Sequence, residues 1–230
     1  QSAPEGTARD KKDWILELEQ SLVAQAIEIA VHSAKDVPVD IHPETVLIPI
    51  LERAEPWDVL LLKNAVADGS LNVLGQGARV GTTSLRRAAQ LKWLRPDLQV
   101  LPLRGNVPTR LSKLQTSELD GIVLAKAGLH RLSILPPGAI TLRDVVPAVN
   151  QGISFHAERA AIETLGADCH SAVSVHAEVH AQDFHLRAEV YSKDGSKRLF
   201  EERSGELRAP EVCGRQLAEA LLKKGAADLL

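Results

Sequence analysis

Apolar residues recur every four positions from Trp14 through Leu18 and Leu22 to Ala26, with Ile15 and Val23 alongside. Glu17, Glu19 and Gln20 take the other side. That period predicts an amphipathic helix over 14–26. The β-branched Ile27, Ile29 and Val31 then alternate, predicting a strand over 27–32 that ends in the loop 33–38 at Pro38. A second apolar run, 46–51, also reads as a strand.

The middle of the chain repeats one grammar. Arg79–Gly81 ends a strand, Thr82, Thr83 and Ser84 offer N-caps, and Leu85, Ala88, Ala89 and Leu91 mark a helix. Residues 99–103 form a strand, 104–106 a turn, and Asn106 caps a helix from Val107 with Pro108 in its first turn. Residues 121–125 form a strand followed by a short helix through Arg131. Strand, loop and helix in this order predict a mainly parallel α/β sheet. Residues 136–138 form a turn, and 142–149 lead into a loop at 150–152.

Beyond residue 157 the pattern changes. A helix over 157–165 precedes a strand over 172–179. Phe184, Leu186, Ala188 and Val190 alternate with polar residues, as in a half-buried strand. Asp194-Gly195 turns that strand into 197–202 as a hairpin, and 210–224 closes as an amphipathic helix. Residues 157–230 therefore read as a small α+β unit.

Composition adds bounds. The 230 residues are 44% hydrophobic and 25% charged, which fits a soluble globular chain of one large or two modest domains and excludes disorder and fibre. No apolar run approaches the roughly 18–20 residues of a membrane span, and the polar start carries no signal-peptide pattern. Two cysteines make no disulfide framework, so a reducing, cytoplasmic setting is expected. The chain contains no Met, which suggests a fragment or a processed chain.

The net charge of −3 hides a split. Residues 79–131 hold ten Lys or Arg against Asp97, Glu118 and Asp120, and the remainder is correspondingly acidic. In parallel sheets, ligands bind beyond the carboxyl ends of strands. The loops expected there carry Lys35 and Asp36, then Ser84, Arg86 and Arg87, then Arg104 and Arg110, then Lys126 and Arg131. Helix N-termini at Ser84 and Asn106 add anion-binding N–H groups, and arginine's planar fork suits carboxylate or phosphate. Any one of these cations also reads as a solvated surface charge. Together they point to a multiply charged small anion.

Asp36 is the lone acid among those loops. It reads either as a loop cap before Pro38 or as a carboxylate that handles protons or faces a cation. Cys169 lies in a Gly-Ala-Asp-Cys-His loop that could expose it, whereas Cys213 shares a helix face with Leu217 and Leu221 and reads as core. His176 and His180 sit about 13 Å apart along one strand, too far for one metal, so no metal site is expected. Few aromatics and the negative total argue against nucleic acid.

Taken together, AVHSAKDVPV (30–39), GTTSLRRAAQL (81–91), LPLRGNVPTRLSKL (101–114), DGIVLAKAGLHRL (120–132), VVPAVNQG (145–152) and AERA (157–160), followed by ADCHSAVSVHAEV (167–179), resemble the porphobilinogen deaminase, or hydroxymethylbilane synthase, family of tetrapyrrole biosynthesis. The motifs stand in the family's order over most of residues 14–230.

The resemblance implies two α/β lobes like those of periplasmic binding proteins plus a small α+β C-terminal domain. The expected bounds are 1–56 with 146–156, then 57–145, then 157–230. It implies a transferase that condenses four porphobilinogen units with loss of ammonia and then releases hydroxymethylbilane with water. The implied primer is a dipyrromethane cofactor held by a thioether to Cys169. Asp36 would be the catalytic aspartate. Lys35, Ser84, Arg86, Arg87, Arg104 and Arg110 would hold cofactor carboxylates, and Arg131 and Gln151 would meet substrate. A monomer working on a small molecule, away from membrane and nucleic acid, is expected. Against the family pattern, the chain is expected to lack an N-terminal strand and helix and a hinge-side segment near 155–157. The rival expectation is a relative that binds a small polycarboxylate without turnover.

Overall fold

A computed structural model describes residues 11–33, 37–38, 41–48, 55–64, 69–148, 155–168, 170–180, 183–206 and 209–230. The chain divides into two compact units, 1–51 and 52–230.

In the first unit, helix α1 spans Lys11–Val23. Ile15 is buried, while Leu16, Leu18 and Val23 are exposed. Glu19 ties the helix to the loop after residue 40 by accepting from the His42 N–H at 2.6 Å and the Thr45 hydroxyl at 3.3 Å. The strand expected over 27–32 is absent, and 46–48 is likewise irregular. Ile29, Val31, Val46 and Ile48 are all exposed. Alternation alone does not make a strand, because each needs a neighbour to take its N–H and C=O groups. Neither segment has one among the described residues.

The second unit opens on a strand that its sequence hides. β1 (Asp58–Leu62) is followed by a 3-10 turn (Leu71–Val73), β2 (Arg79–Gly81), α2 (Leu85–Leu94), β3 (Gln99–Leu101), α3 (Val107–Thr116), β4 (Gly121–Ala125), α4 (Lys126–Arg131) and β5 (Ile140–Leu142). The sheet order is β3-β2-β4-β1-β5. β2 pairs in parallel with β3 and β4, whereas β1 runs antiparallel to both β4 and β5. The sheet is mixed, with β1 the one reversed strand.

Both faces of the sheet are dry. Leu60, Val80 and Val123 pack with Leu91 of α2 on one face. Val59, Leu61, Ile122 and Leu124 pack with Leu114 of α3 and Leu129 of α4 on the other. A strand covered on both faces reads as a continuous apolar run, which is why β1 carries no alternation.

After residue 155 come α5 (Phe155–Leu165), β6 (Val173–His180), β7 (Asp183–Tyr191), β8 (Arg198–Glu206) and α6 (Pro210–Lys223). The three strands form an antiparallel sheet in chain order. Val175, Leu186, Ala188 and Val190 are buried, as are Leu217 and Leu221 of α6. The two helices meet backbone to backbone: a Cβ on Gly214 would lie 2.2 Å from the Ala157 carbonyl oxygen. On edge strand β6, the Ala177 N–H donates to buried Glu158 of α5 at 2.9 Å. An otherwise open edge donor is thereby satisfied.

The polar face of this second sheet meets α2. Gln90 donates to the Ser174 hydroxyl at 2.8 Å and to the Val146 carbonyl at 3.2 Å, and accepts from the Val146 N–H at 2.7 Å. Trp93 packs edge-on against Tyr191. Helix α2 is thus shared between the two sheets.

Candidate active site at the carboxyl edge of the mixed sheet

The carboxyl ends of β2, β3 and β4 and the start of reversed β1 fall on one edge. Ser84 caps α2 there, its hydroxyl accepting from the Arg87 N–H at 3.4 Å. Asn106 caps α3, its side-chain oxygen accepting from the Thr109 N–H at 2.9 Å. Gly105 makes the turn before that cap at φ +123°, where a Cβ would strike the Thr109 side chain at 2.8 Å. Two capped helix N-termini therefore face the edge, as the sequence predicts.

Arg86 and Arg87 stand in the first turn of α2 and are both buried. They converge on Asp58, the first residue of β1, which is fully buried. Arg87 grips it with a fork, Nε to Oδ2 at 3.0 Å and Nη2 to Oδ1 at 2.6 Å, while its Nη1 donates to the Val123 carbonyl at 3.2 Å. Arg86 donates to the same Oδ2 at 2.6 Å and to the Val146 carbonyl at 2.5 Å. Burial alone would raise the Asp58 pKa. The charges and hydrogen bonds of Arg87 and Arg86 outweigh it and hold the carboxyl well below its ordinary range. Burial, opposed by Asp58, pulls the Arg86 pKa down. Two guanidiniums share one carboxylate, so this corner keeps a net positive charge.

Arg110 lies one turn into α3, half-buried, with Nε donating to the Gly105 carbonyl at 2.7 Å. Burial, and then repulsion from Arg87, lower its pKa. Arg104 is exposed in the turn after β3, its carbonyl accepting from Lys113 at 3.0 Å. Arg131 is exposed in the last turn of α4. Lys126, at the start of α4, pairs with Glu55. The structure thus gathers Ser84, Arg86, Arg87 and Arg110 around one corner. Arg104 and Arg131 project from neighbouring connections. Lys35, Asp36, Gln151 and Cys169 lie outside the described residues.

Sequence reasoning missed Asp58 and Gln90. Asp58 heads an apolar run, where an acid reads as a strand boundary. Gln90 lies inside the GTTSLRRAAQL stretch, mid-helix among apolar neighbours, where nothing in the sequence marks its role. Cys213 is buried in α6, as expected of a core thiol, and burial raises its pKa. Among the described residues, no cluster of ligating side chains could hold a metal.

A mixed α/β sheet with cations and helix N-termini along its carboxyl edge, joined to an antiparallel α+β domain, has the charge and the N–H donors that suit an anion. Residues 3–163 match the family model described as porphobilinogen deaminase, dipyromethane cofactor binding domain, and residues 153–223 match its C-terminal domain. The chain is 38% identical to the porphobilinogen deaminase of Rubrobacter xylanophilus, with 96% of this chain and 80% of the relative covered. It is 39% identical to that of Xanthomonas axonopodis pv. citri, covering 94% and 80%, and 34% identical to that of Alkaliphilus metalliredigens, covering 94% and 77%. The chain belongs to the porphobilinogen deaminase family.

The donor set fits the cofactor named by the family model. A dipyrromethane of this family bears carboxylates, and the corner offers an excess of guanidinium charge and two helix N-termini to receive them.

Proposed function

We propose that the chain acts as a hydroxymethylbilane synthase, a transferase that joins four porphobilinogen units with loss of ammonia. The observation that carries this reading is family membership over nearly the whole chain. The cationic corner at Asp58, Arg86, Arg87 and Arg110 supplies the chemistry the substrate needs. Porphobilinogen bears two carboxylates, and each addition brings more. A charge-assisted hydrogen bond contributes about 1.5–3 kcal/mol, so several hold the carboxylates while the pyrrole ring stays free.

Cys169 would hold the dipyrromethane, which when bound would supply the pyrrole end that is extended. In this reading Ser84, Arg104 and Arg110 hold its carboxylates with Lys35. Arg86 and Arg87, their forks committed to Asp58, act chiefly through their field. Arg131 and Gln151 meet the incoming unit. Asp36 is the carboxylate that stabilises positive charge developing on a pyrrole nitrogen.

Asp36→Asn tests that role. Ammonia release from porphobilinogen should fall by two orders of magnitude or more, while the cofactor stays attached. Undiminished release removes Asp36 from the mechanism. The second reading, a carboxylate binder without turnover, predicts binding of porphobilinogen with no ammonia released by the unaltered chain.

A further inference from the structure

The polar face of the C-terminal sheet holds an arginine whose strongest binding edge has no acceptor. Arg187 lies mid-strand in β7, between His176 of β6 and Glu202 of β8. Its Nε and Nη2 are buried and have no hydrogen-bond partner among the described residues. These two nitrogens form one side of the guanidinium, the fork that matches both oxygens of a carboxylate. Elsewhere this chain fills that edge in the same manner. Arg87 holds Asp58 through Nε and Nη2. Arg95 holds Asp97 through the same pair, at 2.7 Å each.

Acids around Trp57, Arg143 and Arg187 have other partners among the described residues. Glu178 lies 3.3 Å from His176 Nε2, and Glu202 lies 3.5 Å from His185 Nε2. Glu55, which feels the Arg143 charge, pairs with Lys126. An aromatic wall completes the site. The Arg187 Cζ lies 6.0 Å from the Trp57 ring centroid, the Arg143 Cζ stands 4.4 Å over it, and the His176 ring meets it edge-on at 5.6 Å. Arg143 is exposed, so its side chain can swing aside on a fast timescale. Buried N–H groups without an acceptor are rare in native proteins, and each calls for a specific explanation.

We propose that Trp57, Arg143 and Arg187 form a carboxylate-binding site where the mixed sheet meets the C-terminal sheet. Arg187 takes both oxygens through Nε and Nη2, and Arg143 closes over Trp57 as a second cation. The planar fork selects a carboxylate over a spherical anion. Trp57 directly precedes Asp58, and Arg143 directly follows β5, so the site lies on the same edge of the sheet as the Asp58 corner. Its ligand is either a free organic carboxylate or a carboxylate arm of the pyrrole substrate, and the second source rests on the function proposed above.

Arginine Nε–Hε signals of the intact chain, recorded by nitrogen–proton correlation NMR during a glutarate titration, test the site. The Arg187 signal, assigned by its loss in Arg187→Lys, should move downfield and saturate, while those of Arg87 and Arg95 stay in place. Arg143→Gln, a change at an exposed position, should weaken glutarate several-fold without altering the circular dichroism. The source follows from kinetics. A several-fold rise in KM for porphobilinogen at nearly constant kcat in Arg143→Gln assigns the site to a substrate arm. An unchanged KM with a saturating titration assigns it to a free carboxylate. An Arg187 signal that glutarate does not move overturns the proposal, as does one already downfield that shifts back in Glu202→Gln. In that last case the chain's own acid fills the fork. The NMR result stands whether or not ammonia is released, so it is separable from the enzyme reading.

Discussion

Asp58 carries more of the site than any other described side chain, because it is the counter-charge for two buried arginines. Removing one partner of a buried ion pair typically costs about 3–5 kcal/mol. Asp58→Asn, measured by urea unfolding at neutral pH, should lose stability of that order. The pH dependence has a definite sign. The folded pKa of Asp58 lies below the unfolded value, about 3.9. Its contribution is therefore fully present above about pH 4 and is lost as pH falls toward the folded pKa. Asp58→Asn should flatten that acid limb; an unchanged slope between about pH 4 and 2 would show that the carboxylate is not held as described. The pair Arg86-Arg87 is legible in sequence as charge at a strand end. Its counter-ion is not, because contact between residues 28 positions apart arises only once β1 is laid beside β4.

Among the elements, those with local signals are the ones the sequence discloses. The caps at Ser84 and Asn106, the Asp194-Gly195 hairpin and the alternation of β7 depend on near neighbours. Asp194 makes the hairpin turn by accepting from the Ser196 N–H and the Ser192 hydroxyl, contacts that lower its pKa to about 2. Strands that depend on distant partners escape such reading in both directions. β1 is missed because burial on both faces erases its period. The expected strand at 27–32 fails because no partner is present among the described residues. Two changes test the elements. Asn106→Ala removes the cap of α3 and should cost about 0.5–2 kcal/mol in thermal unfolding. Gly214→Ala drives a methyl into the Ala157 carbonyl and should cost about 1–3 kcal/mol or more by overpacking the α5–α6 contact. A neutral result at Gly214 would mean the two helices stand further apart.

At the scale of the molecule, α2 joins the cationic edge to the C-terminal domain. Its first turn presents Arg86 and Arg87, and its middle and end carry Gln90 and Trp93 to the second sheet. Gly195, in the β7–β8 hairpin, fits beneath α2, where a Cβ would meet the Ala89 carbonyl oxygen at 2.8 Å. This shared helix seats the C-terminal domain beside the guanidiniums. The fold class and the cationic edge are readable from motif order and charge. The seat is not, because Gln90, Ser174 and Val146 carry no pattern until both sheets exist. We propose that this chain builds and holds its own dipyrromethane on Cys169. Intact-mass measurement of the purified protein tests it most directly. The unaltered chain should carry the added mass of two pyrrole units and Cys169→Ser none. An unaltered chain at its bare mass, releasing no ammonia from porphobilinogen, would contradict it.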